Sequence, residues 1–439
     1  MASSEHSRPW VAPTARERLD ARVQLPGSKS LTNRALLLAA LADAPSTLHR
    51  PLRSRDATIM VRALRTLGAG IREVPGDGRF GPDLAVTPGP LVAGGAIDCG
   101  LAGTAMRFLP IVAALADGPV AFDGDPYARE RPMDQTIASL RALGVRVAAD
   151  APSLPFTVHG TGAVRGGDVA IDASASSQFV SALLLAGARF EEGLTLRHEG
   201  ERLPSLPHIE MTLEALRLRG VDARAIDGET AAWRVEPGPI GALDERIEPD
   251  LSNAAPFLAA VVAVGGRVVL DGWPETTTQV GRMLPELLAP FGATSAVRGG
   301  ELVVEASGGP IPGASLDLGA AGELAPTIVA LGALASEPVE VTGIGHIRGH
   351  ETDRIRALVD DIVALGGRAE ALPDGIRVEP AALTGGAWGA YDDHRIATAG
   401  AVVGLRVPGV EVDDIGATAK TIPEFPELWA AMLEGEDRA

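Results

Sequence analysis

A repeat that returns every 71 to 74 residues constrains this chain more than any other feature. A polar residue opens an Ala/Leu-rich helix, a short turn follows, and a β-branched strand comes next. The six copies read LTNRALLLAALADAPSTLHR, AGTAMRFLPIVAALADGPVAFDG, SSQFVSALLLAGARFEEGLTLR, LSNAAPFLAAVVAVGGRVVLDG, GELAPTIVALGALASEPVEVTG and DDHRIATAGAVVGLRVPGVEVDD. With Thr47, Val120, Leu194, Val268, Val339 and Val410 as strand markers, the spacings are 73, 74, 74, 71 and 71. A fixed period of this kind makes each copy one supersecondary unit that buries its apolar face against its neighbours.

A second helix follows each strand. Its end repeats as LRTLG, LRALG, LRLRG, LAPFG and IVALG, closing on Gly68, Gly144, Gly220, Gly292 and Gly366. Glycine suits the left-handed position just past a helix. In the second copy Met133, Ile137, Leu140 and Leu143 share one helix face. Stretches after the glycine, such as VRVAAD, read as a further strand, so each unit is β-α-β-α-β-β. The first helices are apolar nearly all round and are therefore expected inside, with sheets outside. The expected fold is α/β, with six βαβαββ repeats.

A single core rarely grows past ~250–300 residues, so the 439-residue chain is expected to form two domains of three repeats each. GALDERIEPDLSN near 241–253 and Leu25-Pro26-Gly27 read as the crossovers. One domain is then discontinuous, 1–26 plus 247–439, and the other is 27–246. Residues 1–12 are expected to be disordered.

The formal charge of −18 argues against a broad basic surface for nucleic acid. Cys99 is the single cysteine, which leaves no intrachain disulfide and no cysteine zinc site. MASSEHSRPW has no apolar signal core, and no apolar run approaches the ~18 residues of a membrane span. A cytoplasmic protein is expected. Among the 39 basic residues only Lys29 and Lys420 are lysine. In a chain where arginine fills every other cationic position, these two mark sites that need a compact charge able to give up a proton.

The copies are alike in their apolar parts and unlike where their first helices begin. The polar groups there are Ser28, Lys29, Ser30 and Arg34; Gly103, Thr104 and Arg107; Ser176, Ser177 and Gln178; Ser252 and Asn253; Glu323; and His394 with Arg395. Ser, Asn and Asp can simply cap helices. Six different and partly cationic sets point further, to helix N-termini gathered around phosphate and carboxylate. LPGSKSLTNR lacks the first glycine of a Walker loop, having Arg22 there. DPYARERPMDQT sets Arg129 and Arg131 before Pro132, read as the first residue of a helix. In HIRGHETDRIRALVDDI, Glu351, Asp353 and Arg354 open a helix, and Glu351 is a candidate acid or base. His346 and His350 would need helical spacing to hold zinc, and Gly349 argues against it, so no metal is expected. YDDHRIA and ATAKTIPEFPELW add His394, Arg395 and Lys420. No aromatic residues interleave with these cations, as single-strand nucleic-acid stacking would need.

LPGSKS, NRALLLAALA, AGTAMR, ERP, SSQF, ETDR, YDDHR and AKTIP, in this order over nearly the whole chain, resemble the enolpyruvyl transferases. The resemblance is greater to the branch that acts on shikimate 3-phosphate. It implies a two-domain inside-out α/β barrel with the active site in the interdomain cleft. It also implies transfer of enolpyruvyl from phosphoenolpyruvate to the 5-hydroxyl of shikimate 3-phosphate, by a monomer without cofactor. On this resemblance Lys29, Ser30, Arg34, Ser176, Ser177, Gln178, Ser205, Glu323, His346 and His350 bind shikimate 3-phosphate. Lys29, Gly103, Arg131, Gln178, Arg354, Arg395 and Lys420 bind phosphoenolpyruvate. Glu323 is the base for the hydroxyl proton, and Glu351 or Lys29 supplies the proton to the methylene carbon. Four positions depart from the commonest pattern. Glu323 replaces aspartate, His346 and Leu101 replace asparagines, and His350 replaces a lysine, so its phosphate contact would depend on protonation.

Two other readings compete. The sister branch acting on UDP-N-acetylglucosamine has Lys-Asn in the first segment and a loop cysteine before the Arg-Pro pair. Here Ser30 follows Lys29, and Cys99 lies outside that loop. A non-catalytic binder of phosphorylated metabolites needs the cations but not Glu323 and Glu351.

Overall fold

The computed structural model describes residues 9–76, 78–228 and 230–435. The chain divides into two compact units, one formed by the residues up to Leu25 together with those from Pro249 onward, the other by Pro26–Glu248.

The third repeat shows the common plan. Gly167–Ile171 runs parallel to Leu194–His198, Ala232–Val235 pairs antiparallel with the latter, and Ala223–Ile226 closes the edge antiparallel to Ala232–Val235. A parallel pair needs a crossover, and the Gln178–Gly187 helix supplies it. The same order of one parallel and two antiparallel pairings recurs in the second and fifth repeats. The remaining three sheets draw a strand from a distant part of their own unit. Glu245–Arg246 lies parallel to Ser46–His49, Leu19–Val23 lies parallel to Gly266–Asp271, and Trp10–Val11 lies antiparallel to Val410–Val412. Each unit thereby closes its sheets with its own chain ends.

That closure corrects the expectation of a disordered tail for residues 9–12. Trp10 and Val11 complete the sixth sheet, and Ala12 is buried and donates its N–H to the Val410 carbonyl. The rest of that expectation falls on residues 1–8, which lie outside the described residues.

The first helix of each repeat is the inner one, as its uniform apolarity requires. Every residue of Gly103–Ala113 and of Ala325–Ala333 is buried, as are Phe179–Gly187 of the third copy. The second helices are amphipathic. Arg55–Thr66 buries Ile59, Met60, Ala63 and Leu64 while Arg62 and Arg65 face solvent. Gly68, Gly144, Gly220, Gly292 and Gly366 take φ of 105°, 82°, 78°, 90° and 86°, the left-handed conformation that ends each of these helices. No helix among the described residues is long and apolar enough to cross a membrane.

Candidate active site

Ordinary capping does not account for the polar residues at the inner-helix starts. Only Ser28 and Asp393 place a side chain on the helix they precede; the helices Gly103–Ala113, Gln178–Gly187, Ala255–Val264 and Ala325–Ala333 have no side-chain cap. The polar groups engage one another instead, in one constellation per unit.

In the unit from Pro249 onward they form a continuous network of ion pairs and hydrogen bonds. Ser252 Oγ donates to Glu323 Oε1 at 2.5 Å, and Arg395 Nη2 lies 3.4 Å from Glu323 Oε2. The Arg395 backbone N–H is capped by Asp393 Oδ1 at 2.9 Å. Asp393 also takes two hydrogen bonds from Arg354, at 2.7 Å from Nε and 3.1 Å from Nη2. Arg354 Nη2 reaches Glu351 Oε2 at 2.9 Å, and the other Glu351 oxygen accepts from Lys420 Nζ. Asp393, Arg354 and Lys420 are almost wholly buried. Burial works against the Arg354 charge, but Asp393 and Glu351 outweigh it and hold the guanidinium firmly protonated.

The two histidines join the same network. Arg354 Nη1 lies 3.0 Å from His350 Nδ1. A guanidinium can only donate, so this nitrogen accepts and the ring proton sits on Nε2. His350 is therefore a neutral N–H donor in this arrangement, not a substitute cation. His346 packs edge-on against His350 with ring centroids 5.8 Å apart. It also lies against Gly322, where a Cβ would fall 2.5 Å from its Nε2. All the candidates of this unit, Glu323, His346, His350, Glu351, Arg354, Arg395 and Lys420, are thus brought together. Gly345–Gly349 is a 3₁₀ turn rather than an α-helix, so the two histidines lack the spacing of a helical metal pair.

In Pro26–Glu248, Arg34, Arg107 and Arg131 donate to neutral groups. Arg34 is buried, and its guanidinium donates to Thr212 Oγ1 at 2.9 Å, Ser181 Oγ at 3.2 Å and the carbonyls of Ser30 and His208 at 3.0 and 2.9 Å. Its face lies over Phe108, 5.5 Å from the centroid. Arg107 donates to Gln178 Oε1 at 2.9 Å and stacks on Phe179 at 5.0 Å. Arg131 donates to the Leu101 carbonyl at 3.2 Å. Both guanidiniums crowd the uncapped start of the second inner helix: a Cβ on Gly103 would fall 3.0 Å from Arg131 Nη2 and 3.1 Å from Arg107 Nη1. Two buried cations at the positive end of a helix dipole make a strong local demand for an anion.

Ser176 Oγ accepts from the Gln178 N–H at 3.3 Å, and the Ser205 carbonyl accepts from the His208 N–H at 3.0 Å, which ties Ser205 to a ligand of Arg34. Ser177 precedes Gln178 and is buried. Lys29, the first residue of its helix, is a fifth exposed, with Nζ 3.9 Å from Asp56 Oδ2. Arg131 departs from its expected setting. Pro132 is not the first helical residue; the helix starts at Asp134, and Arg131 follows the 3₁₀ turn Pro126–Glu130 with extended backbone. It reaches the site from a loop rather than from a helix end.

Sequence reasoning missed Asp393 as the buried partner of Arg354, Ser252 as the donor to Glu323, and Asp56 beside Lys29. Asp393 and Asp56 sit where a helix-capping or first-turn acid is ordinary, so nothing local set them apart. Burial pushes the Cys99 thiol up to about 12, with Asp98 and Asp123 adding to it, so Cys99 is inert at neutral pH.

Residues 13–429 match the family model described as EPSP synthase (3-phosphoshikimate 1-carboxyvinyltransferase). A curated relative from Kocuria rhizophila, a 3-phosphoshikimate 1-carboxyvinyltransferase, is 54% identical over 436 residues, covering 97% of each chain. Two solved structures of EPSP synthase from Acinetobacter baumannii share the two-domain inside-out α/β fold at 23% identity. One has a TM-score of 0.76 over 97% of this chain and 98% of its own, the other 0.74 over 96% and 97%. With the family match running through both constellations, this chain belongs to the EPSP synthase family.

Proposed function

We infer that this chain transfers the enolpyruvyl group of phosphoenolpyruvate to the 5-hydroxyl of shikimate 3-phosphate, a step toward chorismate and the aromatic amino acids. Membership of the family at 54% identity to a named member carries this reading. The joined carboxylates and cations from Glu323 to Lys420 support it, because addition to an enol ether needs a base, a proton donor and compensation for anionic charge.

In this reading the 5-hydroxyl oxygen attacks C2 of phosphoenolpyruvate as Glu323 takes its proton, and C3 gains a proton to become a methyl group. The tetrahedral intermediate then loses a methyl proton and inorganic phosphate, which restores the double bond. Arg131, Arg354, Arg395 and Lys420 hold the phosphate and carboxylate charge of the phosphoenolpyruvate part, near Gly103. Lys29, Ser30, Arg34, Ser176, Ser177, Ser205, His346 and His350 hold shikimate 3-phosphate, and Gln178 stands between the two ligands. Both Glu351 oxygens accept from cationic donors, so Glu351 could deliver a proton only after releasing Lys420. That favours Lys29 as the donor to C3. The enzyme acts on small molecules rather than nucleic acid, as a cytoplasmic monomer.

The test is phosphate release from phosphoenolpyruvate with shikimate 3-phosphate as acceptor and, in parallel, with UDP-N-acetylglucosamine. Release with the first alone is the expected result. Release with the second alone would transfer the chain to the sister activity, and release with neither would leave a binding protein.

A further inference from the structure

The Arg354–Ala364 helix grips the loop that carries Asp393 and Arg395 at two points. At its start Arg354 pairs with Asp393. Seven residues on, and so on the same helix face, stands Asp361. Its Oδ1 accepts from the Gly389 N–H at 3.0 Å and from the Tyr391 phenol at 3.3 Å. Asp413 takes the intervening Ala390 N–H at 2.7 Å. The loop then makes a turn that side chains resist: Tyr391 and Asp392 have φ of 53° and 54°, in the left-handed region. The next residue is Asp393, which caps the sixth inner helix and sets the approach of Arg395 to Glu323.

Two successive non-glycine residues in this region persist only where the surroundings over-determine them. Asp361 is a costly way to do so. It is 4% exposed, its Oδ2 is buried without a hydrogen-bond partner, and Asp360 and Asp413 are close enough to repel it. Burial, chiefly, with those two acids, pushes its carboxyl up to about 7. An apolar residue there would pack more cheaply but leave the Gly389 N–H without its acceptor. Tyr391, by contrast, is 42% exposed, so its phenol anchors the turn without contributing much to the core.

We propose that Asp361 is a positioning residue: by holding Gly389 and Tyr391 it fixes the left-handed turn that aims Asp393 at Arg354 and Arg395 at Glu323. The catalytic consequence rests on the function proposed above; the hold on the loop does not.

Asp361→Ala, Asp361→Asn and Tyr391→Phe test it, by steady-state kinetics with phosphoenolpyruvate and shikimate 3-phosphate, amide hydrogen exchange over residues 389–395 and thermal unfolding. Asp361→Ala is expected to lower kcat about tenfold or more, raise KM for phosphoenolpyruvate at least about threefold, and speed exchange in the loop. Asn keeps an acceptor oxygen, so it is expected to recover kcat to within about threefold of wild type, with slow exchange restored. Tyr391→Phe is expected to lower kcat/KM about twofold to fivefold at an unchanged unfolding midpoint. Wild-type kinetics and exchange in Asp361→Ala would overturn the proposal, and so would an Asn variant as impaired as Ala. If Asp361→Ala does not fold, Tyr391→Phe decides, with wild-type kinetics and exchange counting against. If the wild-type protein shows no transfer at all, the functional reading fails, and faster exchange in Asp361→Ala that Asn reverses still separates the positioning role from it.

Discussion

In the unit from Pro249 onward, Arg354, Lys420 and Arg395 each lie against a carboxylate, whereas in Pro26–Glu248 the buried Arg34, Arg107 and Arg131 are held by hydroxyls, carbonyls, an amide and two aromatic faces. Both arrangements fix a guanidinium in space, the first through carboxylates and the second through neutral acceptors and ring faces. Neutral acceptors orient a cation while its field stays available to a phosphate. Carboxylates set an opposite charge against their cations and keep acceptor oxygens within the same network. The two units therefore differ in how they seat their cations: Pro26–Glu248 on neutral acceptors and aromatic faces, the other in a network that includes Glu323, Glu351 and Asp393.

The comparison can be broken at several points. Removing one charge from the paired unit should have the largest effect. Asp393→Asn leaves the Arg354 guanidinium short of a buried counter-charge and is expected to lower stability by about 3–5 kcal/mol, while Ser181→Ala beside Arg34 should lower it by only about 1 kcal/mol, read by denaturant unfolding. Equal losses would erase the distinction between the two units. The lysines come next. Lys420 is 2% exposed against Glu351, so Lys420→Arg has no room for the larger head and is expected to lower kcat about a hundredfold. Lys29 is a fifth exposed, so Lys29→Arg is expected to lower kcat about tenfold. Full activity in both would leave the two-lysine pattern a coincidence of composition.

A smaller effect concerns stability against pH. The Asp361 carboxyl, raised to about 7 by burial, holds its proton in the folded state over a range where the unfolded chain has lost it. Stability therefore falls as pH rises from the ordinary aspartate range to about 7, and the loss is complete above that. Asp361→Asn removes this titration and is expected to be more stable than wild type by about 2 kcal/mol near pH 8, with no gain near pH 4. Unfolding midpoints across that range would show it. A gain of the same size near pH 4 would mean that ionisation is not its cause.

Much of the fold was legible because it is written locally. The all-round apolarity of LSNAAPFLAAVVAV and its five counterparts marks inner helices, and five glycines mark the ends of outer ones. The site was legible as an anomaly, since Arg107, Glu323 and Arg395 lie in or beside the first turns of otherwise apolar inner helices. The pairings were not. Arg354 and Asp393 are 39 residues apart, and Arg34 meets Thr212 across 178, distances over which no periodicity carries information. Nor did anything in RERPM show that Arg131 extends from a loop, because a proline two residues before a helix reads like one at its first position. Residues 9–12 were misread for a related reason: a two-residue strand has no pattern of its own and is ordered only by the edge of Val410–Val412.

The proposed role of Glu323 as the base is tested most directly by titrating shikimate 3-phosphate onto Glu323→Gln in a calorimeter and measuring turnover of the same preparation. The glutamine keeps an acceptor for Ser252 but cannot take the hydroxyl proton. Turnover is expected to fall by about 10²–10⁴ while Kd stays within about threefold of wild type. Turnover near wild type, or a loss of binding as large as the loss of turnover, would contradict the assignment of proton handling to this carboxylate.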